Sequence, residues 1–172
     1  MFKRNSIGRL LSIGVFLPIA LVIGAAVTSP SQAAGAVVNV SLWDKGAEMA
    51  MATDLGFPAA GKDMSKATMG IAVSVDTVRA GEITFEVLNS SKDAIHEVII
   101  TRLRDLTMLF PYNSSESRVD EDKMADILGE VSELEPSQTG ALRLDLKPGK
   151  YLLFCNIPGH FMAGMWTIFT VS

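Results

Sequence analysis

Between Ile71 and Val171 the chain returns repeatedly to apolar residues at every second position, interrupted at short intervals by turn-forming residues. A period of two is the side-chain repeat of a strand with one buried face, and such a face needs a second layer to cover it. Ile71, Val73 and Val75 alternate with small or polar neighbours; after a turn at Ala80 and Gly81, Ile83, Phe85 and Val87 alternate with Glu82, Thr84 and Glu86. A polar run from Asn89 to Asp93 precedes a β-branched stretch over 96–103, where His96 shares parity with Val98 and Ile100 and so belongs on their face. Leu142, Leu144 and Leu146 alternate again, Pro148 and Gly149 turn the chain, and strands follow over 151–155 and 166–171. A weaker strand is expected at 37–43, then an irregular excursion over 44–68. One segment breaks the pattern: Ser117, Asp120 and Glu121 read as a helix start, and Met124, Ile127, Leu128 and Val131 recur at helical spacing until Pro136. The predicted fold is therefore all-β, an antiparallel Greek-key sandwich with one inserted α-helix.

The N-terminus has the order of a secretory signal. Lys3, Arg4 and Arg9 precede an apolar run over 10–27, and small residues follow, with Ser31 and Ala33 flanking a cut before Ala34. This predicts a signal segment over 1–33 and one exported domain over 34–172; an uncleaved membrane anchor is the alternative. Loss of the three basic residues leaves 12 of the 15 against all 19 acidic ones, a mature charge of about −7. Nucleic acid is excluded as a partner, because it requires a basic face. The charge suits either a basic protein partner or a plain solvated surface.

An exported chain with one cysteine has no internal disulfide, so the position of Cys155 decides its meaning. It opens the segment Cys155, Asn156, Ile157, Pro158, Gly159, His160, Phe161, Met162, Ala163, Gly164, Met165, which lies between two predicted strands. A thiol, an imidazole and a thioether thus share one loop, and the second of only two histidines, His96, begins another strand. Taken singly, each has an ordinary structural reading: a core histidine, a buried thiol, a loop residue, a core methionine. Together they are what a trigonal electron-transfer copper site uses, namely two histidines, a cysteine thiolate and a weakly bound methionine. Soft sulfur suits Cu(I), imidazole suits both oxidation states, and a rigid compromise geometry keeps rearrangement small. Met162, two residues from His160, is too close to reach the opposite side of an ion, which favours Met165. Met49, Met51, Met64 and Met69 are irregularly spaced and read as core or loop filling, with a second Cu(I) site as the alternative.

The segment CNIPGHFMAGM resembles the ligand loop of the cupredoxins, the blue-copper family, some of whose members also place four residues between successive ligands. The resemblance extends more loosely through GEITFEVLNSSKDAIHEVII and covers roughly residues 71–172. It implies one type 1 copper ion with His96, Cys155 and His160 as equatorial ligands and Met165 as the axial one, in a one-electron carrier that is not an enzyme. Two departures stand out. Glu97 occupies the position where many members carry an asparagine that braces the cysteine loop, with Asn89 and Asn156 as candidates to replace it. Trp166 stands where glycine is frequent and threatens to crowd the axial side.

Catalytic copper centres need further histidines, and none remain. A structural zinc site is disfavoured because thioether is a poor zinc ligand. The competing function is a periplasmic copper carrier or store, supported by the methionines of the excursion. A monomer is expected, meeting a transient redox protein through an apolar patch around His160 formed by Pro158, Phe161 and Met162 with Phe110 and Pro111. The expected location is the periplasm or another exported compartment.

Overall fold

The computed structural model describes residues 35–172, so the expected leader and its cleavage point lie outside the described residues. Eleven strands follow one another: β1 Ala36–Asp44, β2 Met69–Val73, β3 Thr77–Val78, β4 Gly81–Asn89, β5 His96–Leu103, β6 Tyr112–Asn113, β7 Arg118–Val119, β8 Ile127–Leu134, β9 Thr139–Leu146, β10 Gly149–Phe154 and β11 Trp166–Val171. They form a four-stranded sheet in the order β2-β1-β4-β9 and a five-stranded sheet in the order β3-β11-β10-β5-β8, with β6 and β7 paired separately. The alternation holds in β1 and β4, whereas Val75, expected on a buried face with Ile71 and Val73, lies beyond β2 and is exposed. Val38, Val40 and Leu42 of β1 and Ile83, Phe85 and Val87 of β4 face inward to meet Val98, Ile100, Leu153 and Phe169 from the other sheet. Phe85 and Phe169 meet edge to face across that layer, with ring centroids 5.3 Å apart. A second cluster, built on Phe57, Ile99, Leu152, Phe154 and Phe161, covers the opposite face of the five-stranded sheet.

Two expectations need correction. The sheets are mixed, because β1 runs parallel to β4 and β11 parallel to β3. The predicted helix does not form either. Residues 127–134 make strand β8, antiparallel to β5, and the start signal at Asp120 produces only a single 3-10 turn at Glu121–Lys123. The residues at helical spacing part company: Val131 enters the core between the sheets, Met124 and Ile127 pack with the other cluster, and Leu128 is exposed. Between the pairs His96↔Leu134 and Val98↔Val131 the register shifts, so that β8 spends one residue more than β5. This bulge lets Val131 and Leu134, three apart, both reach the core.

The excursion between β1 and β2 is irregular as predicted, apart from a 3-10 turn at Met64–Lys66, and it packs on the loop between β10 and β11. The Leu55 amide donates to the Met162 carbonyl at 2.8 Å, and the Trp166 indole donates to the Leu55 carbonyl at 2.8 Å. Gly56 makes the close approach possible: a Cβ there would lie 3.1 Å from the Phe161 ring and 2.6 Å from the Met162 sulfur. The Gly56→Ala substitution should therefore cost about 1–3 kcal/mol, as overpacking of a buried contact does, read as a lower midpoint in urea denaturation.

Candidate metal centre

The centre lies where both sheets end. His96 opens β5, while Cys155 follows the last residue of β10 and begins the loop that returns as β11. The loop is tied to itself. The Cys155 amide donates to the Met165 carbonyl and the Met165 amide to the His160 carbonyl, each at 3.0 Å, and the His160 amide donates to the Ile157 carbonyl at 2.9 Å. Gly159 and Gly164 take φ of +88° and +93°, left-handed values that a side chain resists. The turn before His96 is equally fixed. The Asn89 amide nitrogen donates to the carbonyls of Ala94 and Leu134 while its oxygen accepts from the Ser91 amide; the Ser91 hydroxyl oxygen accepts from the amides of Asp93 and Ala94.

Three of the four predicted ligands converge. Nδ1 of His96 lies 3.2 Å from Nδ1 of His160, which lies 3.4 Å from Sγ of Cys155. One donor atom from each residue falls within 4.8 Å of the others, and all three residues are buried. Met165, also fully buried, packs in the same core cluster as Cys155, whereas Met162 packs with Phe161 in the other.

Burial sets the charge state of the group. It drives His96 below its ordinary value, partly offset by the Asp44 carboxylate, whose Oδ2 lies 2.9 Å from Nε2. Burial together with the neighbouring His96 takes His160 down to about 4. Desolvation also pushes the Cys155 thiol up to about 12, only slightly countered by nearby amides. Two neutral imidazoles and a thiol thus share one small dry space. A soft cation fits this donor set and would displace the thiol proton on binding.

The surrounding contacts resolve the two departures noted in the sequence. Glu97 braces the cysteine loop itself, its Oε1 accepting from the Asn156 amide at 3.0 Å. Burial raises that carboxyl to about 7, opposed by this hydrogen bond and assisted by Glu121, Glu130 and Glu133. The Asn156 side chain continues the brace, exchanging hydrogen bonds with both backbone groups of Val119 and donating to Glu121. Trp166 turns away from Met165, meeting Phe57 edge to face at 5.2 Å. The proposed docking patch needs correction at Phe161, which is 2% exposed and packed against Phe110, Phe154 and Tyr112. An aromatic ring beside a backbone-tied loop had a core to fill, and no sequence pattern distinguished that use from a surface one. Of the methionines of the excursion, Met69 is core, Met49 packs on the same core cluster, Met64 lies against Gly164, and Met51 is 46% exposed beside Gly159.

Sequence reading missed Asp44, taken as the first residue of an irregular stretch. It is the last residue of β1, and nothing local marks it as a partner for a residue far along the chain. The depressed values of both histidines make the metal-free fold acid-sensitive. Above pH 6.5 their neutral burial is without penalty; below it the unfolded chain binds protons that the folded chain refuses, and stability is lost as pH falls towards about 4. For His160 the loss is about 2–3 kcal/mol, which urea denaturation of metal-free protein at pH 7 and pH 4.5 will measure; a flat profile would contradict it.

No protein-family model matches the chain, and no curated protein matches its sequence. Solved structures do. Reduced rusticyanin is 16% identical with a TM-score of 0.50, the match covering 79% of this chain and 78% of that one. A structure of rusticyanin variants gives 17% identity and the same TM-score of 0.50 over 80% and 79% of the two chains. Auracyanin A from Chloroflexus aurantiacus, described as a "blue" copper protein, is 15% identical with a TM-score of 0.47, covering 80% of this chain and 99% of its own. At such identities the likeness is one of fold, and the fold this chain adopts is the cupredoxin β-sandwich of rusticyanin.

Proposed function

We propose that this chain is an exported type 1 copper protein that carries single electrons between redox partners. The observation that supports this most strongly is the meeting of His96 Nδ1, His160 Nδ1 and Cys155 Sγ within 4.8 Å in a buried space. His96, Cys155 and His160 would hold the ion, with Met165 as the fourth, weaker donor. Bound copper would supply the Cu(I)/Cu(II) couple and so a one-electron change. The chain's own contribution is rigidity and dryness. The Cys155–Met165 and Met165–His160 backbone bonds fix the loop, while Glu97 and Asn156 hold its start against β7 and the turn at Glu121–Lys123. A donor set that keeps its positions as charge changes makes electron exchange fast.

The same features disfavour a copper carrier or store. Delivery of an ion requires a ligand that can be exchanged at the surface, yet Cys155 and Met165 are fully buried and His160 is 7% exposed. Met51, exposed beside Gly159, is the feature a carrier reading would use. Pro158 and Met51, the exposed apolar residues next to His160, are the proposed point of approach for a transient partner, since Phe161 is sequestered.

The test is the visible and electron paramagnetic resonance spectrum of the copper-loaded domain. One equivalent of copper should give an intense thiolate-to-copper charge-transfer band that cycles reversibly with oxidant and reductant and disappears in Cys155→Ser. A colourless protein, or a band that survives the substitution, would overturn the proposal.

A further inference from the structure

Of the two histidines at the centre, only His96 has a carboxylate partner among the described residues, and the partner comes from the other sheet. Asp44 closes β1, where it lies opposite Met69 in register. Its Oδ1 accepts from the Gly46 amide at 2.7 Å, which anchors the carboxylate to its own turn; Gly46 has φ of +98°. Its Oδ2 is left to meet Nε2 of His96 at 2.9 Å, and both side chains are out of solvent, at 0% for His96 and 2% for Asp44. A carboxylate held in this way only accepts, so the single proton of a neutral imidazole must sit on Nε2. The Nδ1 lone pair is then the one that faces His160 and Cys155. A surface histidine would choose its tautomer by small differences in solvation; here a buried charge chooses it.

Resting on the copper reading above, we propose that Asp44 is the positioning residue of the centre: it locks His96 in the Nε2–H tautomer and keeps the reduction potential below what a neutral hydrogen-bond partner would give. The electronic consequence follows from charge. A carboxylate behind the imidazole makes Nδ1 a stronger donor, and its negative charge favours the more highly charged Cu(II) over Cu(I). Asparagine keeps the size and can keep one hydrogen bond, but it removes the charge and can present an amide donor to Nε2 in place of the acceptor.

Two measurements decide it. The first uses wild-type protein alone, in metal-free and Cu(I)-loaded forms, with long-range 1H–15N correlation spectra that report which ring nitrogen of each histidine carries the proton. His96 should be the Nε2–H tautomer in both forms, and in the metal-free form the Nδ1 proton of His160 should point to His96 Nδ1. An Nδ1–H His96 would overturn the proposal. The second compares wild-type with Asp44→Asn in the full chain. Cu(II) affinity should fall about 10–100-fold in the variant with a smaller change for Cu(I), and the potential should rise by about 59 mV for each tenfold of that difference. An unchanged potential with an unchanged His96 tautomer would show a merely structural pair and overturn it. Failure of the copper reading is separable, because it appears as wild-type protein that gives no blue centre, while the metal-free spectra still decide what Asp44 does to His96.

Discussion

The Cys155 amide and the Met165 carbonyl, 3.0 Å apart, join the two ends of the loop between β10 and β11, and the rest of the site hangs from that junction. With the ends fixed by paired strands, the chain between them has little freedom, and the further bond from the Met165 amide to His160 brings the histidine back over the cysteine. His96 is then supplied by β5, the strand beside β10, so that two neighbouring strands of one sheet deliver three converging groups. Only the carboxylate behind His96 crosses from the other sheet. The cluster of His96, Cys155 and His160 thus stands on two neighbouring inner strands of the five-stranded sheet, with its outer support reaching from the opposite layer.

Such convergence works against the metal-free fold. Three polar groups that prefer water are buried facing one another, and their protonation equilibria show it: both histidines are driven towards neutrality and the thiol towards holding its proton. The hydrophobic clusters on either side of the five-stranded sheet stabilise the arrangement enough to hold it. A cation at the centre would take the place of the protons these groups hold and use the same atoms as ligands. The site is therefore preorganised at a cost to the empty protein, which is the condition under which ligand geometry stays the same whichever charge the metal carries.

Much of this was legible in the sequence. Strict alternation located β4 and β9, because each has one buried face and one wetter one, a β-branched run located β5, which is covered on both faces, and the placing of the only cysteine beside a strand end, at ligand spacing from a histidine, marked the candidate site. What misled was local. Met124, Ile127, Leu128 and Val131 recur at helical spacing, yet in the strand Val131 joins the core between the sheets, Ile127 and Met124 pack with the other cluster and Leu128 is exposed, a division that shows only once the partner strand is known. The parallel pairing of β1 with β4 and the Asp44–His96 contact join residues distant in the chain, and no neighbouring residue announces either. Glu97 looked like a lost brace because its position favours asparagine elsewhere; a longer acidic side chain reaches the same loop by accepting from the Asn156 amide. Phe161 was read as surface because its neighbours are loop residues, whereas the excursion across Gly56 encloses it.

The account stands or falls on where copper sits. The most direct measurement is a crystal structure of the copper-loaded protein with anomalous diffraction collected on both sides of the copper absorption edge. A single peak bonded to Nδ1 of His96, Nδ1 of His160 and Sγ of Cys155, with the Met165 thioether as the more distant fourth neighbour, is the result predicted. A peak elsewhere, for example on Met51 or on exposed carboxylates with the three buried groups left bare, would contradict it.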